Sequence, residues 1–169
     1  MARYQIRQQY FALNDSFDIT DSSGSARYTC RSKMISIPKK FWLETASGKP
    51  LYFVRKNMIH WAGYPKFKVY KGEDKSGGEL ATIAVKYSFV GKKIKISSDT
   101  FGDYMIIGRV GSNWTFYVHE GDKNGPQVAK ISKHVFKVAD TYDIDVNGAK
   151  DSLMIIAAVI LDFLYHKKH

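Results

Sequence analysis

Ser152-Leu153-Met154-Ile155-Ile156-Ala157-Ala158-Val159-Ile160-Leu161-Asp162-Phe163-Leu164-Tyr165 is nearly all apolar, and its reading decides the fold. As an α-helix these residues extend about 21 Å, at ~1.5 Å per residue. The hydrocarbon core of a bilayer is ~30 Å thick, so the segment stops roughly a third short of spanning it. Asp162 adds a further penalty inside lipid. A helix that is apolar on every side, and too short for a membrane, belongs inside protein. Asp151 precedes the run as an expected N-cap. Asp162, near the other end, is expected to reach water. Something large must enclose this helix.

The rest of the chain supplies strands. Phe17 and Ile19 alternate with Asp18 and Thr20. Ala26, Tyr28 and Cys30 alternate with Arg27, Thr29 and Arg31. Phe67 and Val69, Ile94 and Ile96, Trp114, Phe116 and Val118, and Tyr142, Ile144 and Val146 alternate in the same way with polar neighbours. Period two puts one face on a core and the other in water. The facing of Leu51 to Arg55 stays open, because its alternation is not clean. Turn chemistry separates the runs at Asp21 to Gly24, Ala46 to Pro50, Gly72 to Gly78, Gly111 to Asn113, Gly121 to Pro126 and Asn147-Gly148. No linker or low-complexity tract divides the chain, so residues 1–169 read as one domain of ten to twelve antiparallel strands followed by one helix, about 151–165.

A sheet of this size removes its exposed edges by closing. Twelve strands, ~4.8 Å apart and tilted about 40°, make a barrel of backbone radius roughly 12 Å. A helix with its side chains has a radius of about 5–6 Å. The two oddities therefore solve each other. The fold class is mainly β, a closed antiparallel barrel of about twelve strands around a central hydrophobic C-terminal helix.

Several segments, in order, carry a family likeness: Phe17-Asp18-Ile19-Thr20-Asp21-Ser22-Ser23-Gly24, the Gly48 hairpin leading to Arg55-Lys56, Val69-Tyr70-Lys71-Gly72, Leu80-Ala81-Thr82-Ile83, Val128-Ala129-Lys130-Ile131-Ser132-Lys133, Asp140-Thr141-Tyr142-Asp143-Ile144-Asp145-Val146, and Asp151 before the apolar helix. Over nearly its whole length the chain resembles the LURP-one-related proteins, of the Tubby-like superfamily, with the Tubby C-terminal domain and the phospholipid scramblases. The resemblance implies a twelve-stranded barrel around a hydrophobic helix. It also implies a binding module: the Tubby branch takes phosphoinositide head groups on basic residues, and the plant branch is linked to defence. It transfers no individual site residue.

Charge narrows the partner. The chain has 26 Lys and Arg against 16 Asp and Glu, a formal charge of +10. That favours acidic partners such as membrane phosphates or nucleic acid. All of the excess lies in residues 1–100. Arg27, Arg31, Lys66, Lys68, Lys93 and Lys95 are expected to point outward on their strands. Lys92-Lys93-Ile94-Lys95 is the densest local group, and Lys39-Lys40 beside Phe41-Trp42 mixes cations with rings. The candidate lipid-binding residues are therefore Lys92, Lys93, Lys95, Lys66, Lys68, Arg27, Arg31, Lys39 and Lys40. The expected ligands are anionic phospholipid head groups, with nucleic acid or a protein partner as alternatives. The same lysines also serve simply to keep a sheet soluble.

No catalytic residue, metal site or cofactor is expected. His60, His119, His134, His166 and His169 lack zinc-ligand spacing, and there is neither a Gly-x-Ser-x-Gly elbow nor a phosphate loop. The single Cys30 reads as a small core residue rather than a nucleophile. Asp143 and Asp145 share a strand face and read as a solvated exterior. No signal peptide is legible at Met1-Ala2-Arg3, so the expected location is the cytoplasm, peripheral to a membrane or nuclear.

Overall fold

A computed structural model describes residues 1–11, 14–33, 39–57, 64–89, 91–108, 114–134 and 141–165. The strands are β1 (Ala2–Phe11), β2 (Asn14–Asp21), β3 (Ala26–Lys33), β4 (Lys40–Thr45), β5 (Pro50–Lys56), β6 (Lys66–Lys71), β7 (Glu79–Lys86), β8 (Lys92–Ser97), β9 (Tyr104–Gly108), β10 (Thr115–Glu120), β11 (Gln127–His134) and β12 (Thr141–Val146); α1 (Asp151–Tyr165) follows. Each strand pairs antiparallel with its neighbours in sequence, and β1 pairs with β12 to close the barrel. The expected Gly111 to Asn113 turn lies outside the described residues.

Alternation decides which side chains go inside. Phe17, Ile19, Cys30, Leu43, Val54, Val69, Ile96, Ile106, Val118, Ile131 and Ile144 are fully buried in one continuous core with α1. Leu153 to Leu161 are all at most 1% exposed, so the helix is wrapped on every side. Seven of those nine residues are large, and burying each contributes about 2 kcal/mol, near 14 kcal/mol together. That is on the order of the whole net stability of a domain. The helix is therefore part of the core rather than an appendage.

The barrel has two distinct ends. α1 begins at the near end, beside Tyr4, Tyr28 and Tyr52, and finishes at the far end, beside Trp114 and Phe116. The near end carries tight hairpins. At Gly24 and Gly48 the backbone turns with φ of 80° and 90°, which a side chain would resist. The two turns share a hydrogen-bond pattern: Gly24 N–H donates to Asp21 and Gly48 N–H to Thr45. Bulges in the β2–β3, β4–β5, β6–β7 and β10–β11 pairs all fall toward this end.

Two expectations about α1 need correction. Asp151 is the first helical residue rather than the cap; the Lys150 carbonyl accepts the first helical bond, from Met154 N–H. The Asp151 carboxylate instead accepts from the Tyr4 hydroxyl, while still sitting favourably at the positive end of the helix. Burial, with that hydrogen bond second, pushes the Tyr4 hydroxyl up to about 12. Asp162 does not reach water: it is 3% exposed. It accepts from the Tyr142 hydroxyl, and Lys133 Nζ, on an inward position of β11, stands 3.8 Å away. The helix turn expected to open to water at the barrel mouth is tied to the wall by a buried charge pair.

Candidate functional site

The outer surface divides into two halves. Across β11, β12 and β1, basic and acidic residues meet in pairs: Arg3 Nε lies 2.6 Å from Asp145, and His134 Nε2 lies 2.7 Å from Asp143. Asp143 and Asp145 thus lie on the outer face that their strand position suggests, but in ion pairs rather than simply in solvent. Across β3 to β8 the balance is broken. Arg27, Arg31, Lys33, Lys40, Arg55, Lys66, Lys68, Lys86, Lys93 and Lys95 take outward positions, against Glu44 and, at a bulge, Glu79.

Register builds a row from these cations. Lys33 stands opposite Lys40, Lys40 opposite Arg55, and Arg55 opposite Lys68. Four successive strands therefore carry four basic residues side by side, with Cβ atoms about 5 Å apart. Like charges placed directly opposite cost stability. One row toward the near end, Arg31, Trp42, Phe53 and Tyr70 face one another in the same way. Arg31 Cζ lies 4.3 Å over the Trp42 ring, and Lys33 and Lys40 Nζ lie 5.9 and 6.0 Å from it. Trp42 and Phe53 rings are 5.4 Å apart, Phe53 and Tyr70 5.9 Å. The Trp42 indole N–H donates to the Glu73 carbonyl, which fixes the β6–β7 turn over this row. The aromatic row is a floor on which the cations rest.

Two carboxylates trim the face. Glu44, 8% exposed, accepts from Arg31 Nε at 2.7 Å. Glu79 accepts from Lys68 Nζ at 2.9 Å, which holds the Lys68 ammonium above the ordinary lysine range and Glu79 below the ordinary carboxylate range. Lys66 and Lys95 flank Ala84 from either side, and Ala84 is 9% exposed although it faces outward.

The expected site residues divide accordingly. Arg31, Lys40, Lys66, Lys68, Lys93 and Lys95 do share one face. Lys92 does not. Successive strand residues point to opposite sides, so Lys92 turns into the barrel mouth, its Nζ 4.1 Å from the Tyr165 ring centroid. Arg27 is the second residue of β3, at the near end, six residues from Lys33 and so about 20 Å away. Lys39 lies just outside β4 and contributes a backbone carbonyl to Lys56 N–H. Of the mixed pair Phe41-Trp42, Phe41 is core, edge-on to Phe163 at 5.4 Å, and Trp42 is the outer floor. Lys33 and Arg55 were missing from the expected set. Arg55 was hidden because Phe53, apolar yet outward, spoils the alternation of its strand.

Charge also differs from end to end. Lys33, Lys40, Arg55, Lys56, Lys66, Lys86, Lys92, Lys93 and Lys133 all lie within two residues of a strand's far end. At the near end Asp21, Glu73, Asp74, Glu79, Asp99, Asp103, Glu120 and Asp122 mix with Arg27, Lys49, Lys71, Lys75, Lys123 and Lys150. With Asp15 and Asp143 counted at the far end, and Glu44, Asp145, Asp151 and Arg3 at the near end, the far end is net basic and the near end net acidic among the described residues.

Cys30 is fully buried, and burial, with Glu44 second, pushes its thiol upward, away from the reactive thiolate. His60, His166 and His169 lie outside the described residues. Among the described residues there is no group of three His, Cys, Asp or Glu placed to hold a metal, and no helix is long and apolar enough to cross a membrane.

No curated protein sequence matches the chain. Among solved structures it is similar to the crystal structure of an Arabidopsis thaliana protein, at 22% identity and a TM-score of 0.61, over 96% of this chain and 91% of that one. At that identity the likeness speaks for the fold. The sequence pattern of the LURP-one-related family matches residues 2–162. That span takes in all twelve strands and the helix as far as Asp162, and with it the chain belongs to the LURP-one-related family.

Proposed function

We propose that this barrel is a non-enzymatic module that docks on anionic membrane lipids, phosphoinositides among them, through the far-end half of the β3–β8 face. The observation that supports this is the Lys33–Lys40–Arg55–Lys68 row. A surface needed only for solubility gains nothing from four cations in direct opposition. A row that meets a sheet of phosphates recovers their mutual repulsion as attraction. Each basic residue near an anionic surface contributes about 1 kcal/mol, so four or five give about 4–5 kcal/mol. Binding of that strength is reversible and weakens with salt.

Nucleic acid is the competing ligand for a basic face. Readers of single strands expose rings on which bases stack. Here Trp42 and Phe53 are 9% and 6% exposed, beneath the cations. That favours a phosphate surface over a base-stacking groove.

The test is vesicle pelleting. Wild type is expected to sediment with phosphatidylcholine vesicles containing phosphatidylserine or a phosphoinositide, and not with phosphatidylcholine alone. Lys40→Gln, Arg55→Gln and Lys66→Gln together remove about 3 kcal/mol, roughly a 150-fold loss in partitioning. Equal binding to neutral vesicles, or a triple variant that binds like wild type, removes the proposal. A gel shift across a salt series gives the nucleic-acid comparison.

A further inference from the structure

We infer that the barrel meets the bilayer end-on, far end down, with Tyr64, Tyr87 and Phe89 inserted at the headgroup level. This rests on the membrane-docking reading above and adds the part of the molecule that enters the lipid.

Four large apolar side chains are exposed among the described residues: Met1 at the terminus, and Tyr64, Tyr87 and Phe89 at 39%, 60% and 91%. The three aromatics belong to two neighbouring connections, β5–β6 and β7–β8, both at the far end. Val85 N–H donates to the Pro65 carbonyl at 3.0 Å, and Lys66 stands opposite Ala84, which brings Tyr64 alongside Lys86 and Tyr87. Tyr87 and Phe89 rings meet edge-on at 4.9 Å. One corner of the barrel thus gathers three exposed rings, while the other aromatics whose burial is described are half-buried or buried. Clustered exposed apolar surface marks an interaction site.

The surroundings say which partner it fits. Lys66 begins β6 two positions after Tyr64, Lys86 ends β7 one position before Tyr87, and Lys93 stands opposite Lys86 on β8. Aromatic tips with a collar of lysines match the two layers of a membrane surface: rings at the boundary of headgroups and acyl chains, ammonium groups among the phosphates. The net acidic near end then faces away from the lipid.

The experiment uses the full chain with two variants and two vesicles: phosphatidylcholine alone, and phosphatidylcholine with one-third phosphatidylserine. In Phe89→Trp, the introduced indole is expected to shift to shorter emission wavelength on anionic vesicles, and to be quenched by brominated acyl chains. The doubly substituted Tyr87→Ala, Phe89→Ala chain is expected to bind anionic vesicles about thirtyfold more weakly, from the lost burial of two rings. Both positions are exposed, so thermal unfolding should match wild type. If wild type ignores anionic vesicles, the docking reading fails and this inference falls with it. If wild type binds, while the indole stays unquenched and the alanine variant binds equally well, the end-on insertion alone is overturned.

Discussion

Removing one member of the Asp162–Lys133 pair should unfold the barrel more readily than removing both. The two groups are 3.8 Å apart with side chains 5% and 7% exposed. At an effective dielectric of about 20 their attraction is about 4 kcal/mol. Withdrawing both charges from water offsets much of that, so the pair contributes little net stability. Breaking it is another matter. Lys133→Met takes the buried ammonium away from the Asp162 carboxylate, at a cost of about 3–5 kcal/mol. Asp162→Asn leaves the ammonium, but Lys133 Nζ also lies 5.0 Å from the Trp114 ring and 5.5 Å from that of Tyr142. Those rings soften the loss, so Asp162→Asn should cost less, about 2–3 kcal/mol. The double variant keeps an amide oxygen for the Tyr142 hydroxyl and removes both charges; it should lie within about 1 kcal/mol of wild type. Urea unfolding reads this directly. With a slope near 2 kcal/mol/M, Lys133→Met should lower the midpoint by about 2 M and the double variant by under 0.5 M. If both single variants lose less than about 1 kcal/mol, or the double-mutant cycle shows no coupling, water reaches Asp162 and the latch does not exist.

Three other perturbations probe different layers. Gly108→Ala sets a β-carbon 2.5 Å from the Phe116 ring, which Tyr165 and Trp114 hold in place, so Tm should fall by roughly 3–10 °C, and Phe116→Leu should recover part of it. The Tyr4 hydroxyl titrates near 12 when folded and near 10 when unfolded, so the stability it supports is complete below about pH 10 and is lost as pH rises toward 12. Absorbance titration of tyrosinate should show Tyr4→Phe losing a component above the ordinary tyrosine range, and alkaline unfolding of that variant should be less steep. Finally, Lys40→Gln and Arg55→Gln each relieve a like-charge row, so each should raise stability by a few tenths of a kcal/mol at low salt, and by nothing at 1 M salt.

The barrel and its plug were legible because both rest on unambiguous patterns. Strict alternation in Phe17-Asp18-Ile19-Thr20 and Tyr142 to Val146 assigns faces without knowledge of partners. An all-apolar helix that cannot span lipid has few other places to go. The site was legible only in part. Parity placed Lys66, Lys68, Lys93 and Lys95 outward, but a run of adjacent lysines misled: Lys92 and Lys93 are neighbours in sequence and opposite in space. The basic row is a property of register between strands, and single strands do not contain it. Phe53 hid Arg55 because outward burial under Trp42 and Tyr70 looks, along the chain, like broken alternation. Asp162 looked like a residue bound for water because its cation, Lys133, comes from a strand 29 positions earlier.

A barrel filled by its own chain has to meet its ligand from outside. The space that a barrel of this width could offer a small molecule is taken by Leu153 to Leu161. Emptying it would forfeit near 14 kcal/mol, more than docking at 4–5 kcal/mol can repay. A lipid surface that contributes so little cannot draw the helix out, and the helix cannot serve as an anchor while the barrel remains folded. Recognition is left to outward positions and strand tips. On strands, the outward positions repeat every second residue, so the cations on β3 to β6 come as a row across the sheet, and that row is the face proposed above to meet phosphates. The strand tips add what a sheet face lacks, side chains free to enter another phase, and at the far end those are Tyr64, Tyr87 and Phe89. Salt should therefore separate the two contributions: the row loses its hold at high ionic strength, whereas the rings, once inserted, do not.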